Sequence, residues 1–329
     1  MGRDVEWITS QLRAHLVQGD ALRAVEPLSS GHSNDTFHLD GLDLILRMTP
    51  SDTRGALVHG HPIGVQYHVL AAVGAFAQGP PVPGVRYLCD DPDVLGAPFC
   101  LMQRVPGTLT GEYEPETWFA QADAEIRSSV CDQYVSAVAA VNALPALDVL
   151  GPVRPPVQVL GHWAAVAAKS GNDDLAELFT EVSAREAPSS GPCALVHGDS
   201  KLGNVMFSMS GDIQALVDWE MSFNGEPLHD LGYMLFQFPH PAHAAMPGCD
   251  LPGMWDREAI IARWAQVTGR SPDGIEFYEI LAVLQIAAIF SYAGWLHDEG
   301  RNSDPRFAVL AQFVPPLVSA AREMAGVLA

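Results

Sequence analysis

The sequence predicts an α+β fold in two lobes: a small antiparallel sheet carrying a packed helix, then a larger and mostly helical part. Three observations predict it. A chain of 329 residues with 48% apolar and 17% charged side chains is long enough for about two units and can bury a large core. Up to about residue 104 the order of elements is helix, strands, helix, strands. From Glu114 onward helical periodicity dominates.

Val5, Ile8, Leu12 and Leu16 recur at helical spacing among charged residues, which predicts an amphipathic helix and not a signal peptide. A turn-rich segment at 29–35 follows. Residues 36–39 and 42–48 read as two strands joined by Asp40-Gly41, a hairpin signal. Residues 50–60 read as a loop and 61–76 as a helix. Strands are expected at 85–89 and 98–104, with a turn at 90–93 between them. The seam lies near 103–108, where the strand meets Pro106-Gly107; the expected units are 1–104 and 105–329. Helices are then expected at 118–143, 157–169 and 173–185. Two short strands around a loop fall within 194–220. Further helices are expected at 227–237, 256–268, 274–297 and 305–326, the last with a kink at Pro315-Pro316.

Thirty-nine acids against eighteen bases leave a net charge of −21, which argues against nucleic acid as a partner, because phosphate tracks need a basic surface. Only Lys169 and Lys201 are lysines; every other base is arginine. The five cysteines include no Cys-x-x-Cys pair, the pattern of reduced thiols in a cytoplasmic protein. The most apolar stretch, 280–290, is too short to span a bilayer, so no membrane partner is expected.

Chemistry concentrates between residues 195 and 220. Asp199, Asn204 and Asp218 each stand at the edge of an apolar run, and a hairpin joining those runs brings them together. One carboxylate with one amide oxygen suits Mg²⁺, which keeps waters and takes further ligands from phosphates; Asn204 and Asp218 are the candidate metal ligands. Asp199 is then free to orient a hydroxyl and accept its proton, and Lys201 can meet a transferring phosphoryl group.

His197-Gly198-Asp199 with Asn204, Val217-Asp218-Trp219-Glu220 and Gly225-Glu226-Pro227-Leu228-His229-Asp230-Leu231-Gly232 resemble the aminoglycoside phosphotransferase and choline kinase-like superfamily. Within it, the likeness is to the branch of the phosphotransferase-like domain of acyl-CoA dehydrogenase fusion proteins. The resemblance implies a bilobal protein-kinase-like fold and transfer of the γ-phosphate of ATP, or of GTP, to a hydroxyl of a small molecule. It makes Asp199 the catalytic base, has Asp230 brace the catalytic loop from a helix, and brings Glu220 toward a second metal or the substrate. The segment Ser29-Ser30-Gly31-His32-Ser33-Asn34 lies where such folds keep the phosphate-covering loop, with Ser30, Gly31, His32, Ser33 and Asn34 as nucleotide contacts. Arg47 stands where protein kinases keep the phosphate-gripping lysine, and a guanidinium holds phosphate bidentately. The helix residue that anchors this grip is usually glutamate; here it is Gln66, expected to hydrogen-bond Arg47 without neutralising it. Gln103 and Val105 fall on the hinge, where backbone groups hold the purine.

Two other readings stay open. One is a nucleotide-binding protein of this fold that transfers nothing, motivated by Gln66. The other is a Gly-Asp-Ser esterase with Ser200 as nucleophile, although no Asp-x-x-His follows Ser200. The acceptor and the oligomeric state are not legible in the sequence.

Overall fold

The computed structural model describes residues 4–28, 34–50, 55–57, 60–111 and 114–327. The expected contacts at Ser30, Gly31, His32 and Ser33 lie outside the described residues.

The N-terminal lobe begins with α1 (Val5–His15), capped by Asp4, whose side chain accepts from the Glu6 and Trp7 amides. Strands β1 (Ala24–Pro27), β2 (Asp35–Asp40) and β3 (Leu44–Met48) lead to α2 (Ile63–Ala75); β4 (Val85–Cys89), the single turn α3 (Pro92–Leu95) and β5 (Phe99–Gln103) complete it. The strands form one antiparallel sheet in the order β1-β2-β3-β5-β4. Period-two alternation explains its two faces. Phe37, Leu39, Leu46, Phe99 and Leu101 pack with Ile8 and Leu12 of α1. Cys100 and Met102 point the other way, toward Ile63, Val69 and Val73 of α2 and the core of the second lobe. The β2–β3 connection needs its glycine: Gly41 has φ +93°, and a Cβ there would lie 2.1 Å from the Ala21 carbonyl oxygen.

The second lobe contains α4 (Thr117–Ala120), α5 (Ala124–Asn142), α6 (Pro156–Ala168), α7 (Asp173–Ser183), β6 (Ala194–Val196), β7 (Val205–Phe207), β8 (Ile213–Leu216), β9 (Phe223–Gly225), α8 (Leu228–Phe236), α9 (Arg257–Thr268), α10 (Ile275–Asp298), α11 (Pro305–Ala311) and α12 (Val314–Val327). The chain has the bilobal, protein-kinase-like α+β fold that the sequence predicts.

Departures from expectation have local causes. The helix expected at 118–143 breaks between α4 and α5. The carbonyls of Phe119 and Ala120 released by the break accept from the buried Arg127 guanidinium, which also reaches the Pro252 carbonyl. The helix expected at 305–326 is interrupted ahead of the two prolines, which sit in the first turn of α12, where a missing N–H costs little. Strand β9 pairs with β6, Leu195 opposite Asn224; three residues are too few to show alternation in the sequence. The apolar stretch at 280–290 belongs to a 24-residue helix, α10, long and apolar enough by composition to cross a membrane. In this fold 78% of its apolar window is buried, against α6, α8, α11 and α12.

Candidate active site

The turn after β6 carries His197-Gly198-Asp199, and a buried carboxylate from α8 shapes it. Asp230, wholly buried, accepts from the His197 amide at 2.7 Å and the Gly198 amide at 3.0 Å. Its second donor set comes from α5: the Asn142 side-chain amide lies 2.7 Å away and is itself fixed by the indole of Trp264 at 2.9 Å. Gly198 is obligatory, with φ +82° and the Met221 carbonyl oxygen 2.3 Å from where a Cβ would stand. His197 Nε2 contacts the Val217 carbonyl at 3.0 Å, so the turn is tied directly to the residue before Asp218.

Asp199 emerges from this turn almost buried, at 8% exposure. Its Oδ1 accepts from the Tyr233 hydroxyl at 2.8 Å. Its Oδ2 accepts from Asn204 Nδ2 at 2.8 Å, and Lys201 Nζ stands 3.5 Å from the same oxygen. Asn204 Nδ2 also donates to the Asp199 backbone carbonyl at 2.8 Å. That leaves Asn204 Oδ1 as the side-chain atom able to meet a cation. The Asn204 carbonyl accepts from the Val217 amide at 2.9 Å, which brings the end of β8 beside the loop.

Asp218 has a left-handed backbone, φ 67° and ψ 60°, uncommon for a residue with a side chain and a mark of local strain. Arg47 of β3 reaches across from the first lobe and donates to Asp218 Oδ1 at 2.6 Å. Burial pushes the Asp218 carboxyl up, but Arg47, with Lys201 and His197, outweighs it and holds the carboxyl below its ordinary range. Burial disfavours the charged Arg47 guanidinium, yet Asp218 and Glu220 more than offset this and raise its pKa. Arg47 Nε is buried with no hydrogen-bond partner among the described residues, a donor that an anion could satisfy. An amide oxygen on Asn204 and a carboxylate on Asp218 fit a hard divalent cation that completes its shell with water and phosphate oxygens.

Asn34 Nδ2 donates to Glu220 Oε2 at 2.6 Å. Gln66 does not meet Arg47 as expected: its Nε2 donates to the His61 carbonyl at 2.6 Å. The buried Gln66 NH₂ finds an acceptor in that nearby carbonyl, while the Arg47 guanidinium is taken up by Asp218 and Glu220 of the other lobe. At the hinge, the Gln103 backbone N–H donates to the Gly84 carbonyl at 2.7 Å and its side chain is exposed; Val105 is half-buried. Ser200 cannot serve as an esterase nucleophile in this geometry. It is fully buried and its Oγ donates to the Asp230 carbonyl at 3.1 Å.

Sequence reasoning missed Tyr233 and Gln237. Gln237 accepts from the Leu202 amide at 2.9 Å and donates to the Tyr134 hydroxyl at 2.9 Å, while Tyr134 in turn holds the Ser200 carbonyl at 2.5 Å. A signal for both existed: Asp230, Tyr233 and Gln237 stand three and four residues apart, a polar stripe along one face of a largely apolar helix that Gln237 caps.

Residues 24–261 match the model of the phosphotransferase enzyme family. Acyl-CoA dehydrogenase family member 11 of Gallus gallus is 30% identical over 222 residues, 64% of this chain and 27% of the relative, so the chain spans about a quarter of that protein. A Ralstonia eutropha protein assigned as an aminoglycoside phosphotransferase superposes with a TM-score of 0.78 at 23% identity, covering 98% of both chains. A spectinomycin phosphotransferase solved with ADP and spectinomycin superposes with a TM-score of 0.62 at 10% identity, over 98% of this chain and 99% of that one. By sequence match over most of its length, with the fold in agreement, the chain belongs to the phosphotransferase enzyme family.

Proposed function

We propose that this protein is a small-molecule kinase that moves the γ-phosphate of ATP to a hydroxyl group in an Mg²⁺-dependent reaction. The observation that carries this reading is the meeting of Asp199, Asn204, Asp218 and Arg47, from separate segments of both lobes, within one hydrogen-bonded cluster. Membership of the family supports transfer of a phosphoryl group, and the ADP held by the spectinomycin phosphotransferase supports an adenine nucleotide as donor.

In this reading Asn204 Oδ1 and Asp218 hold the cation, which when bound offsets charge on the phosphate oxygens. Asp199 orients the acceptor hydroxyl and takes its proton as the oxygen bonds to the γ-phosphorus and the bond to ADP breaks. Tyr233 and Asn204 fix both carboxylate oxygens, so little reorganisation remains for the transition state. Lys201, already beside Asp199, neutralises charge on the phosphoryl group in flight. The acceptor belongs to the class of hydroxylated small molecules, among which aminoglycosides, other amino alcohols and sugars are the first to test.

A screen of hydroxylated metabolites and antibiotics with γ-labelled ATP, using Asp199→Ala as blank, tests the proposal. Label transferred to a compound by the parent protein alone supports it. A second reading, nucleotide binding without transfer, is favoured by the Arg47 guanidinium sitting on an Asp218 oxygen. That reading requires a melting-temperature shift with Mg²⁺ and ATP but no labelled product across the screen.

A further inference from the structure

Arg47 lacks the helix carboxylate expected to anchor it, since Gln66 is neutral and bonded to the His61 carbonyl. Two carboxylates of the other lobe approach it instead, Asp218 at 2.6 Å and Glu220 at 3.3 Å. Their settings differ. The Asp218 side chain is 30% exposed, whereas that of Glu220 is 7% exposed. Glu220 Oε2 also accepts from Asn34 Nδ2 at 2.6 Å. The Glu220 backbone carbonyl accepts from the His61 amide at 2.8 Å, and Gly60 lies so close that a Cβ on it would stand 2.7 Å from Glu220 Cβ. One residue of the second lobe therefore touches three segments of the first: the start of β2, the middle of the sheet at β3, and the approach to α2.

We infer that Glu220 is a positioning residue, the fixed counter-ion that holds Arg47 toward the nucleotide phosphates in place of the missing helix glutamate. This inference rests on the phosphotransferase reading. A metal-ligand role fits Glu220 less well. Its Oε2 already serves two donors, one of them a cation, and the buried pair with Arg47 would be broken by moving that oxygen to a metal. Asp218, by contrast, keeps 30% of its side chain exposed and can exchange Arg47 for a cation while Glu220 keeps the guanidinium in place.

The test is titration of the full chain with a fluorescent ADP analogue in Mg²⁺, comparing the parent, Glu220→Gln, Arg47→Ala and the double variant. If Glu220 acts through Arg47, Glu220→Gln weakens binding by about tenfold, the worth of one charge-assisted hydrogen bond. The double variant is then no weaker than Arg47→Ala alone, because interacting residues are not additive. The Mg²⁺ concentration at half-saturation stays unchanged in Glu220→Gln. Additive losses, or a raised Mg²⁺ midpoint, would overturn the inference and make Glu220 an independent contact or a metal ligand. If Glu220→Gln does not fold, Glu220→Asp, one methylene shorter with its charge kept, enters the same cycle under the same criteria. Failure of the parent protein itself to bind the analogue overturns the phosphotransferase reading, and this inference with it.

Discussion

Replacing Asp230 with asparagine isolates the brace under the catalytic turn. The side chains have nearly the same shape, so no cavity forms and only the hydrogen-bond roles change. Asp230 Oδ2 accepts from the His197 amide and from Asn142 Nδ2, and Oδ1 accepts from the Gly198 amide. An asparagine must turn its NH₂ toward at least one of these donors, and both sides are fully buried. The smaller loss is the Gly198 bond, with one buried N–H left unsatisfied. A hydrogen bond to a charged group is worth about 1.5–3 kcal/mol, and an orphaned buried donor costs about 1–3 kcal/mol. Partial relaxation of the turn keeps the sum at about 3–4 kcal/mol, a large share of the roughly 5–15 kcal/mol that holds a domain folded. Urea denaturation of parent and variant, followed by tryptophan fluorescence, reads this as a shifted midpoint at constant slope. A loss below about 1 kcal/mol would refute the idea that this carboxylate, rather than backbone packing, shapes the His197-Gly198-Asp199 turn.

Tyr233→Phe removes the 2.8 Å bond to Asp199 Oδ1 and leaves the ring in place; kcat should fall by about tenfold with nucleotide affinity retained, measured by steady-state kinetics once an acceptor is known. An unchanged kcat would remove Tyr233 from the positioning of Asp199. Burial lowers the pKa values of His61, His162, His229 and His243 from the ordinary 6.5. A histidine less basic in the folded state binds fewer protons there than in the unfolded chain, so this contribution to stability is fully present well above the ordinary pKa of 6.5 and is lost as the pH falls below it. Urea midpoints at pH 7.5 and 5.5 check the sign, and a higher midpoint at pH 5.5 contradicts it.

The sheet was legible because its strands alternate: Phe37 and Leu39, then Leu46 and Met48, face one core, and Gly41 marks the turn between them. The proximity of Asp199, Asn204 and Asp218 was legible because each ends a short apolar run. What closes the site was not. Asn142 and Asp230 lie 88 residues apart in sequence, and Arg47 and Asp218 lie 171 apart; such pairs carry no local pattern. Gln66 shows the same limit in reverse. Its position implied a contact with Arg47, but the carbonyl of His61 is closer to hand and Glu220, from the other lobe, supplies the charge. Tyr233 could have been found, since a tyrosine one turn beyond Asp230 breaks an apolar helix face.

Asp199→Ala, assayed for phosphoryl transfer and for nucleotide affinity in the same preparation, tests the central claim most directly. With Asp199 as the base, and with Arg47, Asn204 and Asp218 holding the nucleotide, transfer to the acceptor disappears while affinity for Mg²⁺ and ATP stays close to that of the parent. Retained transfer, or a parallel loss of transfer and affinity in a folded variant, contradicts the account.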